Sequence, residues 1–320
     1  MVNRGASAKM VIRSKKGIFF TVTVIIILSL FLITYTFYIK FADRSVIQER
    51  VSTLNNFIFS TEEDLQRQLY IAGFRALFII QKEVIEQGSY VSDVNATFQE
   101  LFFAGTLNGA QQPIMAGATF SDIQTAIQQK AAKVNADIDL LNPVLQIKQT
   151  SPWYVDISLI VNFNAQDQGG LVRWNKTEIF TAQVPIEEFE DPLYLINTNG
   201  LVTNKIKKTP FTTFVTGQSV TNLNNHTINS YYINSTTSPG YLKRLAGDTA
   251  PDLNGIESLV YIPKLSNQGV STLDKTVVDY IYFSSNNPIK CQISGMPSWF
   301  KLDQPHLAAY QATGLEYNCQ

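Results

Sequence analysis

Three patterns of apolar and polar positions follow one another along the chain. Residues 17–39, GIFFTVTVIIILSLFLITYTFYI, hold no charge and no proline over 23 positions. At 1.5 Å per residue, a helix of that length crosses a hydrocarbon layer of about 30 Å, so a membrane span is predicted over residues 18–39. From residue 40 an amphipathic pattern takes over. Ile47, Val51, Leu54, Ile58, Thr61, Leu65, Leu69, Ala72, Ala76, Ile80 and Val84 recur in steps of three and four, and the first proline of the chain is Pro113. Such a stripe predicts a long helix that continues the span. Ser60 followed by Glu63 has the form of a capping box and marks a break and restart near Phe59 as one reading. Phe74, Leu77, Phe78 and Ile79 widen the stripe beyond a two-position seam, which favours a core helix over a coiled coil.

Glycines at 105, 109 and 117 and Pro113 place residues 88–119 in loop, around a short apolar helix near 98–103. A second amphipathic helix is predicted from Ser121 to about Leu141, on Ile123, Ile127, Ala131, Val134 and Ile138. The period then drops to two. Trp153, Val155, Ile157, Leu159, Val161 and Phe163 alternate with polar residues, with Ile160 out of phase. After Asp167-Gln-Gly-Gly170, the positions Val172, Trp174, Phe180, Ala182 and Val184 alternate on the return, which predicts an antiparallel hairpin. Residues 145–149 add a third strand. Beyond Pro185, strands are expected at 193–196, 259–262 and 277–283, with an exposed loop over 216–240. The fold class is therefore α+β: a transmembrane helix, a long amphipathic helix and an antiparallel β-rich domain. The divisions are a basic tail over 1–17, the span over 18–39, a helical region over 40–142 and a β-rich ectodomain over 143–320.

Charge sets the orientation. Residues 1–16 carry Arg4, Lys9, Arg13, Lys15 and Lys16 and no acid, so the positive-inside rule places the tail in the cytoplasm and the large domain outside. A cleaved secretory signal competes with an uncleaved anchor. The length of the apolar run and the lack of a small-x-small site before Ala42 favour the anchor. The remaining chain has 20 basic against 26 acidic residues, a net of −6, which argues against nucleic acid as a partner. Cys291 and Cys319 are the only cysteines, and on the outer side of a membrane they predict a disulfide rather than a metal site.

The junction Arg13-Ser-Lys-Lys-Gly17-Ile18-Phe-Phe, basic residues and a glycine abutting a long apolar helix, resembles the signal of archaeal type IV pilin-like proteins. The resemblance covers about 25 residues and implies cleavage by a membrane peptidase between Gly17 and Ile18, with the apolar helix kept as an anchor or packed in a filament core. It also implies other pilin-like subunits or surface proteins as partners. The glutamate common at the fifth mature position in that family is Val22 here, a departure that bears on assembly as a major subunit. Residues 187–194, 241–247 and 255–260 also resemble stretches of single-pass archaeal surface proteins, a likeness that carries no activity.

Chemistry is sparse. His226 and His306 lie in no metal or nucleophile motif, and no HExxH, GxSxG or phosphate-binding loop occurs. His226 reads as a solvated loop residue and His306 as packing. Asp252-Leu-Asn254-Gly255 copies the middle of a calcium loop and fails at both ends, with Ala250 and Tyr261 where ligands belong. Glu187, Glu188, Glu190 and Asp191 read as a solvated acidic turn. Sequons at Asn95, Asn175, Asn225 and Asn234 are candidate glycosylation sites, and Asn225 and Asn234 fall in the expected loop. No catalytic, cofactor-binding or metal residue is assigned. The sequence leads to a surface protein with a structural or adhesive role, in contact with the membrane and without catalysis. The alternative is an anchored ectodomain that captures glycans or solutes.

Overall fold

A computed structural model describes residues 15–320, with side-chain surroundings from residue 19 onward except at 41–45. Most of the expected basic tail lies outside the described residues. Helix α1 (Lys15–Gln87) is a single element of 73 residues, about 110 Å long at the helical rise. The break expected near Phe59 is absent. With no proline in the segment, no N–H is missing from the helical ladder around Phe59, and Thr61 returns its hydroxyl hydrogen to Phe57 O (2.8 Å) rather than starting a new helix. The predicted stripe is buried from Leu54 through Ile58, Leu65, Leu69, Ala72, Ala76 and Ile80 to Val84, whereas Ile47 and Val51 are exposed. The body of the protein therefore begins at Leu54, and α1 projects from it.

Helix α2 (Val94–Ala104) is capped by Asp93, whose carboxylate accepts the Ala96 N–H, and a two-residue hairpin, β1 (Thr106–Leu107) and β2 (Ala110–Gln111), follows. Helix α3 (Phe120–Ala132) starts one residue earlier than expected, because Thr119 and Asp122 form the capping box. It also stops nine residues short. Asn135 takes a left-handed conformation (φ 53°), and Ile138 and Leu140 then alternate at period two against Ala165 and Phe163 instead of continuing a helix. The three long strands β3 (Ala136–Ser151), β4 (Tyr154–Asp167) and β5 (Arg173–Pro185) form an antiparallel sheet in that order. Pro143 sits where the β3 register shifts between Leu141 and Val144, a place that needs no ladder N–H.

The inner face of the sheet, Val155, Ile157, Leu159, Val161, Phe163 and Ala165 with Phe180, Ala182 and Val184, closes on α1 and α3. Ion pairs clasp the edges of this layer: Lys176–Glu62 (2.8 Å), Lys130–Asp64 (2.5 Å) and Arg50–Asp167 (3.8 Å). Ile160 is the apolar exception to the alternation, as its position in the pattern implies. It belongs to the outer face, flanked across the strands by Val144 and Ile179.

After Pro185 the chain turns to short elements: α4 (Pro192–Asn197), α5 (Thr221–Ile228), β6 (Tyr232–Asn234), α6 (Tyr241–Leu245), β7 (Ile256–Ser258), α7 (Ile262–Asn267), α8 (Asp279–Tyr282), β8 (Lys290–Ile293), β9 (Lys301–Asp303), α9 (Gln304–Leu307) and β10 (Glu316–Tyr317). Three expectations are corrected here. Residues 193–196 are helical, because Asp191 accepts the Leu193 N–H and Pro192 occupies the first turn. Residues 279–282 are likewise a helical turn, leaving single bridges such as Leu259–Val278 in place of long strands. The expected loop over 216–240 holds α5 and β6, with Leu223, His226 and Tyr232 buried. Short apolar runs in a compact lobe satisfy their backbone through turns and caps as readily as through ladders, and period alone does not separate the two.

Candidate functional site

The largest surface left uncovered by the chain itself is on α1. Residues Phe19–Lys40 form an apolar helical stretch of 22 residues, long enough to cross a membrane, and none of it is buried against the rest of the protein; Phe31 is 75 % exposed. Thr23 and Thr34 donate their hydroxyls to Phe19 O (2.9 Å) and Leu30 O (2.8 Å), and Thr36 donates to Leu32 O, so these polar side chains are satisfied within the helix. Val46, Ile47 and Val51 continue the exposed apolar positions up to the first buried one at Leu54.

The distal lobe is built around a buried arginine. Arg244 Nη1 lies 2.6 Å from Asp191 Oδ2 and 2.9 Å from Asp279 Oδ2, while Nη2 donates to Ile256 O. Tyr232 donates its hydroxyl to Asp191 (2.8 Å), and the Ser258 N–H (3.1 Å) and hydroxyl (2.9 Å) donate to Asp279. Burial pushes the Asp191 carboxyl up against the pull of Arg244. For Arg244, burial disfavours the charge and the two carboxylates overrule it, holding the guanidinium ionised. With every member hydrogen-bonded and closed to solvent, this cluster joins α4, α6, β7 and α8; it is a fastening, not a reaction centre.

A second cluster meets the surface. His306 Nδ1 lies 2.5 Å from Asp303 Oδ2, and its Nε2 is 3.4 Å from Glu257 Oε2 and 3.2 Å from the Tyr280 hydroxyl; Thr276 donates to the other oxygen of Asp303 (2.7 Å). Burial would lower the imidazole pKa, but Asp303 and Glu257 together push it up to about 10. The ring is thus an imidazolium at neutral pH and holds no free lone pair for a general base. Tyr280, Asp303 and His306 line a cleft of about 580 Å³ together with Thr237, Asn286 and Asn287. His306 is therefore more than packing.

His226 is not solvated. It is buried beside Phe214 and Tyr310, its Nδ1 meets the Thr209 hydroxyl at 3.0 Å, and burial lowers its pKa to about 3.

The acidic turn is also dispersed: Glu188 faces Lys205 and Lys207, while Asp191 is committed to Arg244. Among the described residues no group of three metal-ligating side chains gathers. Gly17 and Ile18 lie in the first turns of α1, where only the backbone is described. Cys291 and Cys319 are joined in a disulfide that ties β8 to the chain end. Asn95, Asn175, Asn225 and Asn234 are all exposed, although Asn225 stands on α5 and Asn234 ends β6 rather than lying in a loop.

Arg244, Asp279 and Glu257 escaped sequence reasoning. Their partners lie 35 to 53 residues away, at no motif spacing. Comparison with protein-family models, with curated proteins and with solved structures finds no match to this chain.

Proposed function

We propose that this chain is a single-pass, membrane-anchored surface protein of pilin-like type, its body extracytoplasmic, with a structural or adhesive role and no catalysis. The observation that carries the reading is the uncovered apolar run Phe19–Lys40, continuous in one helix with the stripe that forms the core from Leu54 onward. A helix shared in this way between lipid and domain core holds the body at a set distance from the bilayer. The basic residues ahead of Gly17 favour the body on the outer side. Exposed Tyr70, Phe74 and Phe78 along the free face of α1 offer further surface for a neighbouring subunit.

The test is carbonate extraction of membranes and protease treatment of intact cells expressing the full chain, followed by N-terminal sequencing. Retention in the pellet, digestion of the body from outside and a mature chain beginning at Ile18 support all parts of the reading. Release by carbonate refutes the anchor, and an intact Met1 refutes the pilin-like processing while leaving an anchored domain.

A second reading, solute or glycan capture by the ectodomain, draws on the cleft beside Tyr280 and His306, whose lining includes the side chains of Thr237, Asn286 and Asn287. A glycan array and a thermal-shift screen test it, and a flat response in both refutes it.

A further inference from the structure

Helix α1 and strand β4 run side by side in opposite directions, and two contacts calibrate them. Gly73 of the helix meets Ile157 of the strand, and Arg50 of the helix meets Asp167 at the end of the strand. Between these contacts the helix spans 23 residues, about 35 Å, and the strand spans ten residues, about 33 Å. The two lengths agree, so β4 points along the helix axis toward the apolar span. Past Asp167 the chain reverses through Gln168, Gly169, Gly170 and Leu171, closed by the Asp167 N–H to Val172 O (3.0 Å) and the Gly170 N–H to Asp167 O (2.8 Å). Gly170 supplies the left-handed residue of this turn (φ 70°).

That turn reaches roughly two residues, about 6 Å, beyond the level of Arg50. Arg50 itself stands ten residues, about 15 Å, past the end of the apolar stretch at Lys40. The tip thus hangs about 9 Å above the hydrocarbon edge, close to the outer limit of a headgroup layer about 5–8 Å thick. A typical tilt of about 20° toward the sheet, with the sheet about 10 Å off the axis, lowers the tip by about 3 Å and places it among the headgroups.

The chemistry at the tip suits that layer. Leu171 is 54 % exposed at the apex, and Trp174 (39 % exposed) directly follows exposed Arg173, with the Lys176 ammonium 5.7 Å from its ring centre. Tryptophan is enriched at the bilayer interface, a long arginine side chain reaches its headgroups, and an apolar side chain enters the headgroup and acyl-chain boundary. The Asp167 carboxylate turns away, held by Arg50 and the Gly169 N–H (2.9 Å), so it presents no free anion to lipid. Asp137 is engaged with the Gln168 side-chain amide (3.2 Å).

We propose that the turn between β4 and β5 is a second membrane contact, seated on the phospholipid headgroups of the bilayer that α1 crosses, with Leu171 as its apolar foot. This inference rests on the anchor reading above. Two contacts, one through the helix and one through the turn, remove the freedom of the body to rotate about the helix axis, so one side of the protein always faces away from the surface.

Single cysteines in the full-length chain test it, since the two native cysteines are paired with each other. Phe31→Cys, Leu171→Cys and Leu253→Cys, the last at an 83 % exposed site in the distal lobe, are labelled with a fluorophore and reconstituted in phosphatidylcholine vesicles. Quenchers are placed either on the headgroup or deep on the acyl chain. The expected result is acyl-chain quenching at Phe31→Cys, headgroup quenching at Leu171→Cys several-fold above Leu253→Cys, and none above buffer at Leu253→Cys. If Leu171→Cys matches Leu253→Cys while Phe31→Cys reports hydrocarbon, the second contact is refuted and the anchor stands. If Phe31→Cys reports water, the anchor falls and takes the inference with it.

Discussion

Gly73 of α1 and Ile157 of β4 meet so closely that a Cβ on the glycine would lie 1.8 Å from Ile157 Cδ1 and 3.4 Å from Val184 Cγ2. A glycine in mid-helix costs about 1 kcal/mol against alanine, so its presence reflects the close approach of helix and sheet. Gly73→Ala is expected to lower stability by up to about 2 kcal/mol, because overpacking of about 1–3 kcal/mol is offset by about 1 kcal/mol of helix propensity. Ile157→Ala alone should cost about 2–5 kcal/mol. The double variant should then be more stable than the sum of the two losses implies, because the new methyl enters the space vacated. Denaturant titration of the three variants measures this. A Gly73→Ala protein that melts higher than wild type would show that the end of the Ile157 side chain moves aside at little cost and refute the overpacking.

Arg244 holds two buried carboxylates, and its removal should be felt across the distal lobe. Arg244→Met leaves Asp191 and Asp279 closed from water with no counter-charge, an expected loss of about 3–5 kcal/mol. Burial already pushes the Asp191 carboxyl up, and without the guanidinium nothing opposes that shift. The variant should therefore be closest to wild type below about pH 4 and lose ground as pH rises. Stability curves of both proteins between pH 3 and pH 8, in the range of about 3 to 8 where carboxylates titrate, read this out; parallel curves would refute it.

The two histidines bend the pH dependence in opposite senses. His306 has its folded pKa raised from 6.5 to about 10, so its contribution is complete below about 6.5 and is lost as pH climbs toward 10. His226 has its folded pKa lowered to about 3, so stability is complete above about 6.5 and falls as pH drops and the unfolded chain gains the proton. Wild-type stability is expected to pass through a maximum near neutrality. His306→Gln should flatten the alkaline limb and His226→Phe the acid limb, each measured by thermal melts across pH. An unchanged limb in either variant assigns that slope to other groups.

The disulfide closes a separation of 28 residues, and the ends are doubled by the reciprocal backbone bonds of Lys290 and Gln320 (3.0 and 2.9 Å). Reduction is expected to cost about 2–4 kcal/mol, confined to the distal lobe. Hydrogen exchange after dithiothreitol treatment should show faster exchange at β8 and β10, with β4 unchanged. Equal loss of protection in β4 would mean that the two lobes unfold as one unit.

Much of the first 185 residues was legible in the chain, because their patterns are long and local. Twenty-three uncharged positions, a stripe repeating over ten turns and a strand alternating over twelve residues each commit the backbone by themselves. Where the reading slipped, it did so at an element end: Ile138 fits both a helical and a two-residue period, and Asn135 decided between them by turning left-handed. After Pro185 the apolar runs are four to six residues long, short enough to pack as a helical turn or as a strand, and capping by Asp191 and Thr198 settled matters that period could not.

Sequence alone determined that an apolar helix leads into an amphipathic one, that an antiparallel hairpin follows, and that two cysteines are available to pair. Those are properties of residues read against their near neighbours. Only the tertiary structure decided where coverage of α1 begins, which carboxylates meet Arg244 and His306, and that the turn after β4 points back along the helix toward its apolar end. Each of these depends on segments far apart in the chain being brought to one place by burial of a shared core, and no local pattern encodes that distance.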